Sequence, residues 1–276
     1  MNTSPINSLN HPLEEYLRVD RLPHIWCPGC GLGMILGALL RSIEKAGLDI
    51  DKTTMVSGIG CTGRAAGYVK MDSFHVTHGR PLPFATGLKI AKPDLKMIVF
   101  TGDGDLAAIG GNHFIHAARR NVDMTVICVN NFVYGMTGGQ FGPTTPLDAQ
   151  TATSRQGNVE QPFNLPFLAS TCGAVYVARW TASHVRQMER SFGEALQKKG
   201  FSFVEIISPC PTYYGRMNEQ ATGLDQMRYY RYHSTVKHGA NLADIDITGD
   251  GPIIVGKFVD IQRPHILPPQ GDSSGK

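Results

Sequence analysis

What the chain lacks narrows its possibilities first. No run within its 276 residues approaches the roughly 18 consecutive apolar positions of a membrane-spanning helix. Its start, MNTSPINSLNHPLEEYLRVD, has neither a basic beginning nor an apolar segment of the secretory kind. A cytoplasmic protein with no membrane partner is therefore expected. An excess of one charge is also missing: 26 Lys and Arg against 23 Asp and Glu give a net +3, with both signs interspersed. Nucleic acid calls for a concentrated basic footprint, so no such partner is expected. Internal repeats are absent, and biased composition is confined to the tail, 268–276, where disorder is expected. Cysteine is sparse, 6 in all. That is no disulfide framework, which belongs to short secreted domains, so the thiols are expected in a reducing compartment as buried groups or metal ligands.

Glycine, by contrast, is plentiful at 31, and much of it stands beside Cys, Asp and Asn. Glycine so placed lets backbone approach a bound group closely. Hydrophobic periodicity predicts helices at 31–46, 82–91, 106–120 and 183–199, and short apolar strands at 54–59, 96–101, 124–129 and 202–207. Apolar strands alternating with helices define an α/β fold, a mainly parallel sheet covered by helices on both faces. Ligands in such sheets bind beyond the carboxyl ends of the strands. Cys61, Asp103, Asn131 and Cys210 each fall just past a predicted strand. The chain divides on this reading into an N-terminal arm (1–22), a cofactor-binding domain (23–215) and a C-terminal extension with its tail (216–276). The polar, Tyr-rich stretch 211–250 is expected to face a partner.

In VFTGDGDLAAIGG, residues 99–111, Gly102 and Gly104 allow a sharp turn that points N–H groups, and the start of the next helix, at an anion. Asp103 would repel a phosphate directly. It makes sense as the holder of a divalent cation that bridges to phosphate, and magnesium prefers oxygen donors in octahedral array. Asn131, at the end of the neighbouring strand, supplies a second, neutral oxygen. A lone Gly-Asp-Gly is more often only a turn, as Gly249-Asp250-Gly251 is expected to be; here the preceding strand and the Asn-Asn pair at 130–131 set it apart. A nicotinamide site is disfavoured, since no G-x-G-x-x-G opens a helix with an acidic residue about 20 positions on.

Cys27-Pro28-Gly29-Cys30 lies in a Gly/Pro turn leading into a helix. Taken alone it fits a zinc knuckle, a redox pair or cluster ligands. Zinc would usually bring a second CxxC or a close His pair, and a thioredoxin-like pair would need a preceding strand where RLPHIW stands. A [4Fe–4S] cluster takes four thiolates. Cys27, Cys30, Cys61 (GIGCTGR) and Cys210 (SPCPTYY) are the natural set, all in Gly/Pro-flanked, non-helical settings. Cys128, inside TVICVNN, reads as a packing residue; Cys172 stays undecided.

The spacing from Gly102 to Asn131 resembles the thiamine-diphosphate motif. WCPGCG, GIGCTGR, THGRPLPFATGLKIA, GDGDLAAIGGNHFIHAARRN and NNFVYGMTGGQFGPTTP together resemble the β subunit of 2-oxoacid:ferredoxin oxidoreductases, most nearly the 2-oxoglutarate members, over roughly 20–215. The resemblance implies CoA-dependent oxidative decarboxylation of a 2-oxoacid, most simply 2-oxoglutarate to succinyl-CoA and CO2. Electrons would pass through the [4Fe–4S] cluster to ferredoxin, with reductive carboxylation as the reverse. It implies thiamine diphosphate and Mg2+ as cofactors, the backbone carbonyl of Val133 as a third magnesium ligand beside Asp103 and Asn131, and an α subunit as partner, in an (αβ)2 assembly. That partner would bring the glutamate that addresses the thiamine ring, for which this chain offers no convincing candidate.

Cofactor contact is expected from Gly60, Cys61, His78, Gly102, Gly104 and Asp105, and from the loop Tyr134, Gly135, Met136 and Thr137 that follows Val133. His78 and Arg64 are candidates for contact with the substrate, each with a bland alternative as a structural or surface residue. Three competing readings remain: a different 2-oxoacid such as pyruvate, a non-oxidative thiamine decarboxylase or carboligase in which the cysteines are structural, and a non-catalytic zinc-bound subunit.

Overall fold

Side chains on successive strand residues point to opposite faces, and here both faces are apolar. Ile98 and Phe100, Ile127 and Val129, and Val204 and Ile206 pack on one side of a sheet. Met97 and Val99, Val126 and Cys128, and Phe201 and Phe203 pack on the other. A sheet buried on both faces needs helices on both, and the computed structural model, which describes residues 11–249 and 251–265, has them.

In chain order the elements are α1 (Leu32–Lys45), β1 (Thr53–Ser57), β2 (Asp72–His75), α2 (Pro81–Ala91), β3 (Lys96–Gly102), α3 (Asp103–Ala107), α4 (Gly111–Arg119), β4 (Met124–Asn130), the small hairpin β5 (Val133–Tyr134) and β6 (Gln140–Phe141), α5 (Leu165–Thr171), β7 (Tyr176–Thr181), α6 (Val185–Gln197), β8 (Phe201–Ile207), α7 (Gly223–His233), β9 (Ser234–Val236) and β10 (Ile253–Asp260). Eight strands form one sheet in the order β2-β1-β3-β4-β8-β7-β10-β9. The first six run parallel. β10 is antiparallel to β7 and parallel to β9. α1 and α6 cover one face through Ile35, Leu39, Met188 and Phe192. α2, α4 and α5 cover the other through Leu82, Phe114 and Leu165. No helix among the described residues is long and apolar enough to cross a membrane.

The expected α/β architecture is observed, with three corrections. The helix expected at 106–120 is two, because Ala108 leaves helical geometry (ψ −99°) and the chain restarts at the Gly110-Gly111 pair. The sheet runs past the boundary expected after residue 215, since β10 hydrogen-bonds to β7 inside it. The Tyr-rich stretch is only partly outward. Tyr230 and Gln226 on α7 are buried, Tyr230 against the main core, while Tyr232 is exposed. The arm is likewise tied down where it is described, through buried Leu13 and Leu17, the latter bridging to Val69. The tail 268–276 and Asp250 of the second Gly-Asp-Gly lie outside the described residues.

Candidate functional site

β1, β3, β4 and β8 are neighbours in the sheet. Their carboxyl ends therefore deliver Cys61, Asp103, Asn131 and Cys210 to one edge of the molecule. Two cavities open there.

The first, of about 230 Å3, is lined by Gly60, Cys61, His78, Gly102, Asp103, Gly104, Asp105, Asn131, Val133, Tyr134, Gly135, Met136 and Thr137, with Ile59 and Thr62. Asp103 is 4 % exposed. Burial pushes its carboxyl up to about 6, opposed by the Thr144 hydroxyl and by the backbone N–H groups of Gly104 and Asp103. Among the described residues no basic side chain pairs with it. A buried carboxylate without a counter-cation is costly, and a divalent cation at this carboxylate would remove that cost. Asn131 Oδ1 accepts the Val133 N–H at 3.3 Å across Phe132, whose φ is +67°. This tight turn holds the Asn131 amide against the Val133 backbone, and both residues line the cavity. The donor set is all oxygen, in keeping with magnesium and a diphosphate. Gly104 lies under the Tyr134 ring, and a Cβ there would collide with it.

Asp105 has a different task. Its carboxylate accepts from Thr101 Oγ1 at 2.6 Å, the Gly79 N–H at 2.7 Å and the Ile59 N–H at 3.3 Å. Those bonds join the loops after β1 and β2 to α3, so Asp105 shapes the wall of the cavity. His78 Nδ1 sits 2.8 Å from Asp105 Oδ1, but off the alignment of a hydrogen bond. The His78 ring stands edge-on to Tyr134. Thr137 closes a turn through Gln140 Oε1 at 2.7 Å. Arg64 is exposed and lines neither cavity, because the 3-10 helix Thr62–Gly67 turns it outward while burying Thr62, Ala65 and Ala66. Its expected approach to an acidic substrate is not made from the lining of either cavity.

The second cavity, about 70 Å3, has Cys27, Cys30, Cys61 and Cys210 in its lining, set among Trp26, Leu32, Val129 and Pro209. No disulfide joins them. Trp26 Nε1 donates to the Cys61 carbonyl at 2.7 Å, and Ser208 Oγ to the Cys30 carbonyl at 2.7 Å. The loop of Cys27 and Cys30 also meets α7: a side chain on Gly223 would run into the Gly29 backbone. Burial, with neighbouring thiols adding to it, pushes Cys30 and Cys61 up to about 11. Cys27 alone of the four is exposed, and Thr212 Oγ1 donates to its sulfur at 3.3 Å. Among the described residues no three His, Cys, Asp or Glu side chains converge as a single ion would need. A zinc ion holds thiolates about 2.3 Å from one point, whereas a cluster's four thiolates stand further apart around it. Four thiols share this one apolar lining. Cys128 is fully buried in the core, as expected of a packing residue, and Cys172 lies apart from both cavities.

Cys61, Asn131, Gly135 and Met136 line both cavities, so one layer of residues separates them. A Cβ on Gly135 would stand 3.5 Å from Cys61 Sγ and 3.6 Å from Cys210 Sγ. Sequence reasoning missed Thr144, whose hydroxyl donates to Asp103, and Asn130 beside that hydroxyl, as well as Thr62 and Ile59 in the lining. The signal for the first pair was present in the Asn-Asn dipeptide and in the Thr-Thr of GPTTP.

Residues 58–206 match the family model for the C-terminal TPP-binding domain of thiamine pyrophosphate enzymes. The chain is 50% identical over 261 residues to the 2-oxoglutarate synthase subunit KorB of Methanothermobacter marburgensis, covering 95% of this chain and 91% of that protein. It is 43% identical over 188 residues to the 2-oxoacid:ferredoxin oxidoreductase 2 subunit beta of Aeropyrum pernix, covering 68% and 61% respectively. Among solved structures it is similar to the 2-oxoglutarate:ferredoxin oxidoreductase from Magnetococcus marinus with 2-oxoglutarate, coenzyme A and succinyl-CoA bound. That match has a TM-score of 0.82 and 32% identity, and covers 94% of this chain and 88% of that one. The chain belongs to the thiamine pyrophosphate enzymes and, within them, to the β subunits of 2-oxoacid:ferredoxin oxidoreductases.

Proposed function

We propose that this chain is the β subunit of a 2-oxoglutarate:ferredoxin oxidoreductase, forming succinyl-CoA and CO2 from 2-oxoglutarate and CoA and reducing ferredoxin, with the reverse carboxylation at the same site. The observation that carries this reading is the wall shared by the oxygen-lined and cysteine-lined cavities. A non-oxidative thiamine enzyme has no use for four cysteines there, whereas an oxidative one needs an electron acceptor within a short hop.

In the first cavity Asp103, Asn131 and the Val133 carbonyl would hold Mg2+, and the Gly102–Gly104 turn would receive the diphosphate. Bound thiamine diphosphate supplies the nucleophilic carbon and the electron sink that decarboxylation of a 2-oxoacid requires. Gly60, Tyr134, Gly135, Met136 and Thr137 would position it, and His78 would contact the substrate or diphosphate from a place set beside Asp105. Cys27, Cys30, Cys61 and Cys210 would hold the [4Fe–4S] cluster, and exposed Cys27 marks the side from which electrons leave. No glutamate lines the first cavity among the described residues, which supports a partner α subunit completing it, in an (αβ)2 enzyme of a reducing, cytoplasmic setting.

The test is anaerobic co-purification with the α subunit, followed by iron, sulfide, magnesium and thiamine analysis per β chain and a dye-reduction assay with 2-oxoacids and CoA. About four iron and one thiamine, with 2-oxoglutarate as preferred substrate, are expected. Thiamine without iron would instead establish the non-oxidative enzyme. Preference for pyruvate would overturn the substrate assignment alone.

A further inference from the structure

We infer that Thr144 sets which divalent cation the first cavity accepts, by holding the Asp103 carboxylate so that it offers one oxygen and not two. This rests on the reading of Asp103 as a cation ligand and adds a positioning residue to it.

Thr144 is 3 % exposed. Its hydroxyl has one proton and two acceptors in reach, Asp103 Oδ2 at 2.6 Å and Asn130 Oδ1 at 3.0 Å. A charge-assisted bond is the shorter and stronger of such alternatives, so the proton belongs to Asp103. Asn130 Oδ1 keeps the Phe132 N–H at 3.1 Å. Among the described residues no side chain donates to Asp103 Oδ1; backbone N–H groups of Gly104 and Asp103 approach the carboxylate, and Oδ1 is the oxygen that no side chain holds back from a cation.

Thr144 is buried beside neighbours that are themselves hydrogen-bonded. Next to it, Thr145 Oγ1 donates to the Phe132 carbonyl at 2.5 Å and accepts the Gly142 N–H at 2.8 Å. Behind it, Asn130 Nδ2 donates to Glu205 Oε1 at 2.8 Å, and Glu205 Oε2 takes Arg179 Nε at 2.5 Å. Arg179 in turn donates to the Ile245 carbonyl at 2.6 Å. Asn130, Glu205 and Arg179 are all buried. A carboxylate that gives one oxygen to this buried hydroxyl is disfavoured from chelating a cation with both.

Calcium takes 6–8 oxygens at about 2.3–2.6 Å and readily uses bidentate carboxylates, whereas magnesium demands near-octahedral single-oxygen donors at about 2.0–2.1 Å. With Asn131 and the Val133 carbonyl also giving one oxygen each, the pinned Asp103 makes a three-donor set suited to the smaller ion.

The measurement is thiamine diphosphate binding to the metal- and cofactor-stripped αβ complex, followed by calorimetry at saturating Mg2+ or saturating Ca2+. Wild type binds more tightly with Mg2+. In Thr144→Val that preference falls about tenfold, the scale of one hydrogen bond to a charged group, and Thr144→Ser restores it. Thr144→Ala is titrated in parallel, so that the result does not hang on how one variant folds. Equal weakening with both cations, an unchanged preference, or no preference in wild type overturns the inference. A wild-type complex that binds no thiamine diphosphate with either cation overturns the functional reading beneath it as well.

Discussion

The two cavities share a wall but are built on opposite terms. In the oxygen-lined cavity nearly every polar side chain is fixed by the protein itself: Asp103 by Thr144, Asp105 by three donors, Asn131 by its own turn. In the cysteine-lined cavity the backbone is fixed, through Trp26 and Ser208, while Cys27 has the one side-chain hydrogen bond to a sulfur among the described residues. A hard cation and its diphosphate are selected by the placement of a few oxygens, so that placement has to be rigid. A cluster carries its own geometry and asks the protein for four sulfurs at the right spacing in an apolar shell. The protein specifies side-chain orientation in one case and loop position in the other.

Removing the cation ligand breaks this comparison most severely. Asp103→Ala should lose Mg2+ and thiamine diphosphate and at least about a hundredfold of activity, the scale of deleting one member of a buried charged set, while visible absorption of the cluster persists. Metal and thiamine analysis beside an absorption spectrum checks both halves. Next in size, Cys210→Ser should bleach or destabilise the cluster and leave thiamine binding in place, whereas Cys128→Ser should keep both. A bleached Cys128 variant with an intact Cys210 variant would exchange their assignments.

A third prediction contrasts two buried carboxylates. Asp103 has no cationic partner and is pushed up; Asp123 lies 3.0 Å from Lys89 Nζ and is held below its ordinary value, where donation from the Gly200 N–H and Lys89 outweighs burial. A depressed carboxyl contributes stability that is present above its unfolded pKa of about 3.9 and is lost as pH falls through the folded value. Asp123→Asn should therefore cost about 3 kcal/mol at neutral pH by stranding Lys89, and the variant should lose less stability than wild type on acidification below about pH 4. Urea midpoints across pH measure it. The smallest effect is expected at Thr212→Val, which removes the donor from Cys27 Sγ. The cluster's potential should fall by on the order of a few tens of millivolts, the electrical equivalent of one modest hydrogen bond, read by potentiometric titration with thiamine content unchanged.

Much of this was legible because the strands that carry the site are short, apolar and followed at once by Gly, Asp, Asn or Cys. Strand ends and chemistry coincide in the sequence, so placing β1, β3, β4 and β8 also placed Cys61, Asp103, Asn131 and Cys210. β7 was missed because Arg179 interrupts its apolar run, and only the fold reveals that Glu205 on β8 neutralises it. β10 was missed because it follows a polar stretch and joins the sheet antiparallel, outside the βα alternation that guided the reading. Thr144 was invisible for another reason: a threonine in a Gly/Pro loop is ordinary, and only tertiary contact puts its hydroxyl on Asp103. Arg64 shows the converse: it adjoins Cys61 in sequence, yet a turn of 3-10 helix sets it outside both linings.

The close contact between Gly29 and Gly223 bears on biogenesis. Synthesis releases Cys27 and Cys30 early, but the segment that braces their loop is made near the end, after Cys210. The nascent chain thus offers its first two thiols before the segment that braces their loop has been made, and the loop gains that brace only when α7 docks. Cluster loading should accordingly be a late event, and chains stopped before α7 should present an open, oxidisable pair to the cell.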